Sequence, residues 1–224
     1  MNKILSEIFE MEKVKDKKGN TYPLWEHNIC ILDGEFLQDL IKKYGSIKSL
    51  EIGFAFGIST LFICEALLKN GKNVKHIAID PYQKEFYGIG IENIKRAGFS
   101  HIFEFKEEKS ELYLPSLLRR KEKFDFIFID GDHSFDHCFI DFFYCDRILS
   151  LGGIIVLDDI NFPSIKKIAN YISQKPQYKT LAILEYPKES NSTGKKMIAF
   201  QKLSDKLKKA PEPILEPEWK ELFV

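Results

Sequence analysis

Residues 46–80, SIKSLEIGFAFGISTLFICEALLKNGKNVKHIAID, decide the fold. The opening SIKSLEIGF reads as a strand, STLFICEALLKNG as a helix stopped by Gly71, and VKHIAID as a second strand. One βαβ unit is thereby predicted. The alternation continues outward from it: a helix over YGIGIENIKRAG, a strand at HIFEFK, a helix near ELYLPSLLRRKEK, a strand at FDFIFID, a helix over FDHCFIDFFYCDRILS and a strand at GGIIVLDD. Strands and helices at this spacing require an α/β fold with a doubly wound, mostly parallel sheet covered on both faces. The near-continuous apolar runs FIFI and IIVL fit strands buried on both sides. After a helix at PSIKKIANYIS, the segments TLAILEY and KMIAFQK flank the polar PKESNSTGK and read as an antiparallel hairpin, so the sheet ends mixed, with seven strands.

The flanks organise around this body. Residues 1 to about 20 read as a short amphipathic helix followed by the charged turn KVKDKKGN, and TYPLWEHNI leads into a helix around 33–44. The expected division is an N-terminal helical cap (1–45), a ligand-binding domain (46–202) and a C-terminal tail (203–224). The tail mixes charge with proline, and either straps the body or packs on another subunit of a homo-oligomer. Lys plus Arg and Asp plus Glu both total 33, so no long-range field draws the protein to nucleic acid or to an anionic membrane. Cys30, Cys64, Cys138 and Cys145 show no Cys-x-x-Cys spacing and lie in or beside apolar stretches, which predicts reduced core thiols. No segment has the apolar length of a signal peptide or a membrane helix, so a cytoplasmic location is expected.

The turn EIGFAFGIST carries the first chemistry. A glycine at a strand end admits a ligand close to the backbone, and the following helix N-terminus presents free N–H groups. A dinucleotide fingerprint needs Gly-x-Gly-x-x-Gly. Here Gly53 is followed by Ala55 and Gly57, with Ile58 where the third glycine belongs, which weakens a nicotinamide reading. Glu51, two residues before Gly53, suits a cationic or zwitterionic ligand better than a pyrophosphate. Asp80, 27 residues after Gly53 at the end of the second strand, can accept hydrogen bonds from ribose hydroxyls or cap a helix.

LEIGFAFGIST resembles the first motif of class I S-adenosylmethionine-dependent methyltransferases, Glu-x-Gly-x-Gly-x-Gly, with Ala55 in place of the middle glycine. The resemblance implies a Rossmann-like methyltransferase fold, with Glu51, Gly53, Phe54 and Gly57 as contacts to the cofactor's methionine part. It places Glu107, Glu108 and Ser110 around the adenine.

The second chemistry lies at two later strand ends. FDFIFIDGDHSFDH runs into Asp130, Gly131, Asp132 and His133, and GGIIVLDDIN into Asp158, Asp159 and Asn161. If these strands are neighbours, their ends lie about 5 Å apart and three carboxylates crowd together. Such crowding calls for a compensating cation, and hard oxygen ligands suit Mg²⁺ or Ca²⁺. The stretch resembles metal-assisted small-molecule O-methyltransferases of the catechol and macrolide-sugar kinds. That resemblance implies Asp130, Asp158 and Asp159 as metal ligands, Asp130 also as part of the catalytic and cofactor-binding set, and His133 as general base. An imidazole with an unperturbed pKa of about 6.5 suits that task. The plain alternative is that His133 or Ser134 merely starts the next helix. His137, one helical turn beyond His133, could share the site, but its neighbours Cys138, Phe139 and Phe142 favour core packing. Asp132 is an ordinary turn residue or a supporting group. Trp25, Tyr82, Phe86 and Tyr87 are candidates for an acceptor wall, and His27 has no assignable partner.

The expected function is methyl transfer from S-adenosylmethionine to a hydroxyl of a small molecule, a sugar or natural-product alcohol. Two other classes stay open: a nicotinamide-dependent oxidoreductase, which a preference for NADH would reveal, and a non-catalytic S-adenosylmethionine-binding protein, which would bind without turnover. Methylation of nucleic acid or protein lacks both an Asn-Pro-Pro-Tyr-like motif and a basic stripe.

Overall fold

The computed structural model describes residues 1–24, 29–186 and 196–205. Trp25, His27, the loop PKESNSTGK and the tail from residue 206 therefore lie outside the described residues. Seven strands form the main sheet in the order β5-β4-β3-β6-β7-β9-β8. They are β3 (Lys48–Ile52), β4 (Lys75–Ile79), β5 (Phe103–Lys106), β6 (Phe124–Ile129), β7 (Leu149–Leu157), β8 (Tyr178–Glu185) and β9 (Lys196–Lys202). The first five run parallel, while β9 is antiparallel to both β7 and β8. The hairpin thus folds back so that β9, not β8, lies against β7.

Side chains alternate across each strand, and that period of two sorts the core into two clusters. Phe126, Phe128, Ile154 and Val156 point to the face covered by α1 (Lys3–Met11), α2 (Ile31–Tyr44), α3 (Ile58–Asn70) and α4 (Ile89–Arg96). Ile127, Ile129, Ile155 and Leu157 point to the face covered by α5 (Ser110–Arg119), α6 (Phe135–Ile148) and α7 (Pro163–Ser173). Strands buried on both faces explain the unbroken apolar runs. α3 is buried nearly all round because it lies between the sheet and α2.

Two features depart from the sequence reading. The charged turn after α1 is a small hairpin of β1 (Lys13–Lys15) and β2 (Thr21–Pro23), closed where the Asp16 carboxylate accepts the N–H groups of Lys18 and Asn20. Cys64, Cys138 and Cys145 are buried free thiols as expected. Cys30 is only half-buried at the start of α2, with its Sγ 2.9 Å from the Tyr186 hydroxyl, because an N-cap position faces outward rather than into the core. Among the described residues, no helix is long and apolar enough to cross a membrane.

Candidate active site

The strand order reverses between β3 and β6. From β3 the chain works outward through β4 to β5, then returns to place β6 on the other side. In open α/β sheets the crevice beyond the carboxyl ends at such a point is where ligands bind. A cavity of about 440 Å³ lies there. Its wall joins the ends of β3, β4 and β6 with the first turn of α5.

Gly53 makes the crevice possible. Its φ is +88°, and a Cβ at this position would stand 1.9 Å from the Asp130 carbonyl oxygen, so only glycine lets the ends of β3 and β6 approach. The Asp130 N–H donates to the Ile52 carbonyl at 2.8 Å across the same gap. Ala55 also adopts a left-handed conformation, φ +43°, where the family motif has glycine. Asp80 braces this loop: one carboxylate oxygen accepts the N–H groups of Phe54 and Ala55, each at 2.9 Å, and the other accepts the Tyr82 N–H at 2.7 Å. Gln83 completes the support by donating to the Ala55 carbonyl at 2.6 Å.

Of the cofactor candidates, Gly53, Phe54, Asp80, Ser110 and Asp130 line the cavity, and Glu51, Gly57 and Glu108 do not. Glu51 alternates with Leu50 and Ile52, so it points beneath α3 instead of past the strand end. There it is fully buried and its Oε2 accepts from the Thr60 hydroxyl and lies 3.0 Å from His76 Nε2; His76 Nδ1 lies 2.7 Å from the Ser49 hydroxyl. Gly57 serves the backbone, capping α3 with φ +73° against the Phe54 ring. Tyr82 and Phe86 line the cavity, whereas Tyr87 stacks on Tyr22.

At the acidic end, Asp130, His133 and Asp159 bring ligand atoms within 4.8 Å of one another. Asp130 and His133 line the cavity, and Asp159 stands behind them. Asp158 is not in this group, a correction to the expected three-carboxylate cluster. It is 3% exposed at the end of β7, and its Oδ1 accepts the Asp159 N–H at 2.8 Å. The turn then swings Asp159, at φ +52°, toward His133.

Three contacts fix His133, two through its imidazole and one through its backbone carbonyl. Nε2 lies 2.9 Å from Asp159 Oδ2, the ring stacks nearly parallel on Phe162 at 4.7 Å, and the Ser164 hydroxyl donates to the His133 carbonyl. The hydrogen bond to Asp159 outweighs burial and raises the His133 pKa above its ordinary value. Ser134 does start α6, and the Asp132 carboxylate accepts its N–H; hydrogen bonding to Ser134 holds Asp132 below the usual carboxylate range. His137 lines the cavity instead of packing into the core, with Nδ1 2.8 Å from the Ser134 hydroxyl.

The sequence reading missed Asp141. It is buried on α6, and burial pushes its carboxyl up to about 6. A lone acid in FIDFFYC, among otherwise apolar residues, was the available signal.

Comparison with known proteins gives the family and the fold. The methyltransferase-domain family matches residues 50–160. A protein described as a caffeoyl-CoA O-methyltransferase in Arabidopsis thaliana is 30% identical over 177 residues, covering 76% of this chain and 69% of the relative. The chain belongs to the caffeoyl-CoA O-methyltransferase family of S-adenosylmethionine-dependent O-methyltransferases. Caffeoyl-CoA O-methyltransferase 1 of Zea mays is 33% identical over 133 residues, 57% of this chain and 48% of that protein. With most of the curated caffeoyl-CoA O-methyltransferases it matches, the chain spans about half of their length. The fold is that of the Bacillus cereus O-methyltransferase solved with SAH, at a TM-score of 0.72 and 22% identity, covering 90% of this chain and 92% of that one.

Proposed function

We infer that this chain transfers the methyl group of S-adenosylmethionine to a hydroxyl of a small molecule. The observation that carries the reading is the convergence of Asp130, His133 and Asp159 at one end of a cavity whose other end is the Gly53 loop. Family membership supports the cofactor and the reaction class.

In this reading the cofactor lies along Gly53, Phe54 and Asp80, with its purine toward Ser110. Asp80 already accepts from the loop: Oδ2 takes two N–H groups, whereas Oδ1 takes one and keeps a second lone pair for a ribose hydroxyl. The acceptor enters beside His133. Asp159 holds Nε2 as the protonated nitrogen, which leaves the Nδ1 lone pair to take the acceptor's proton. The oxygen then attacks the sulfonium methyl in line, a displacement that positioning alone accelerates greatly. Two carboxylates and an imidazole within 4.8 Å fit a divalent cation, and Asp130 and Asp159 would hold it. Such a cation would orient the acceptor's hydroxyl and lower its pKa.

The test is calorimetric titration with S-adenosylmethionine, SAH and NADH, each with Mg²⁺ and with a chelator, followed by a methyl-transfer screen over caffeoyl-CoA, catechols and sugar alcohols. Micromolar binding of the two adenosyl ligands, and transfer that weakens in chelator, are expected. Binding of NADH alone would overturn the reading.

A further inference from the structure

Beneath the floor of the cavity lies a carboxyl that this mechanism does not use. Asp141 is 1% exposed, and its Oδ1 has no hydrogen-bond partner among the described residues. The groups around it belong to the cavity wall: Ser110 and Glu111 from the first turn of α5, Gly131 and Asp132 from the turn after β6, and His137 one helical turn earlier on α6. Cys138 and Cys145 of α6 face it as well. A Cβ on Gly131 would stand 3.6 Å from Asp141 Oδ2 and 3.0 Å from the Ile52 side chain, so the turn rests directly against this carboxyl.

An acid buried with one oxygen unpaired is destabilising, and an apolar side chain of similar size would fill the same space without that cost. A group kept at such expense under a ligand cavity is a candidate for function. We propose that Asp141 is a positioning residue for the adenosyl ligand: the Ser110 hydroxyl on one side and the Gly131 turn on the other let it set the width of the slot between α5 and the end of β6. This rests on the adenosyl-ligand reading of the cavity.

The slot width and the charge of Asp141 are then coupled. Burial raises its pKa to about 6, against a lowering by the Ser110 hydroxyl. A ligand in the cavity strips the remaining water from the floor and raises the value further. A carboxyl that holds its proton more tightly in the complex gives tighter binding at low pH, and affinity falls as pH rises through the free-state value. A rise of one unit corresponds to about a tenfold change in affinity.

The experiment is calorimetric titration of SAH at pH 5.5, 6.5 and 7.5, in buffers of differing ionisation enthalpy, for wild type, Asp141→Asn and Ser110→Ala. Wild type is expected to take up part of a proton near pH 6 and to lose roughly three- to tenfold in affinity across the range. Asp141→Asn, neutral throughout, should lose both the uptake and the slope and hold at every pH close to the affinity that wild type shows at pH 5.5. Ser110→Ala should move the slope to higher pH, because the lost hydroxyl was lowering the carboxyl's pKa. Glu111, Asp132, His133 and His137 remain in all three proteins, so the difference from Asp141→Asn isolates this one group. A flat wild-type profile, or a slope retained in Asp141→Asn, would overturn the proposal. If Asp141→Asn does not fold, the wild-type and Ser110→Ala profiles decide. Failure of wild type to bind SAH at any pH would instead overturn the cavity reading itself.

Discussion

The glycine-loop end and the acidic end of the cavity use their charged groups in opposite ways. At the first, Asp80 accepts three backbone N–H groups, so its carboxylate holds the protein's own loop in shape, while Glu51, turned away beneath α3, is tied to Thr60 and His76. At the second, Asp130, His133 and Asp159 turn toward one another, and His133 keeps about two-fifths of its side chain exposed. One end is a mould and the other is a reagent. Preorganised binding surfaces must be rigid, whereas a base must meet its substrate.

That contrast breaks most visibly with His133→Ala. Methyl transfer should fall roughly 10²- to 10⁴-fold while SAH affinity stays within a few-fold of wild type, measured by radiolabel transfer beside calorimetry. An equal loss in both would merge the two ends into one function. Gly53→Ala attacks the mould. A clash with the Asp130 carbonyl plus a left-handed alanine should destabilise the fold by roughly 2–5 kcal/mol, read as a lower urea midpoint. Little change would mean that the strand ends can separate without harm.

A pH profile sharpens the reagent end. Because Asp159 raises the His133 pKa, the neutral imidazole appears only above about 6.5, and kcat/KM should rise with pH through a midpoint above that value. Asp159→Asn should move this midpoint down, because the hydrogen bond that raises it is weakened. An unmoved limb would assign the titration to another group. The smallest effect is expected from Ala55→Gly. Relieving φ +43° should stabilise the protein by at most about 1 kcal/mol, partly offset by the freer unfolded chain, with a thermal scan as the check.

Sequence legibility follows the same division. The alternating elements could be read because buried strands and amphipathic helices leave long periodic traces, from LEIGF to GGIIVL. The β1–β2 hairpin left none, since three-residue strands of mixed polarity carry no period. The sequence placed Glu51 near the loop but not the face on which it points, which depends on strand register. Asp158 and Asp159 were legible as a pair, yet one left-handed residue decides which of them meets His133. Asp141 escaped because a single acid on a helix reads as a surface residue until the neighbouring helix is in place. The order β7-β9-β8 was equally hidden, for the hairpin pattern fits either strand beside β7.

That strand order has a consequence for synthesis. β9 follows every other described strand in the chain, yet it occupies an interior position of the sheet, hydrogen-bonded on both sides. Until it emerges from the ribosome, β7 presents an open edge that would pair with other chains, and β8 has no partner in the sheet. The strand that carries Asp158 and Asp159 at its end is thus secured by a segment made after every other described strand. A chain interrupted before residue 196 would hold every candidate catalytic residue and still lack the frame that keeps them together.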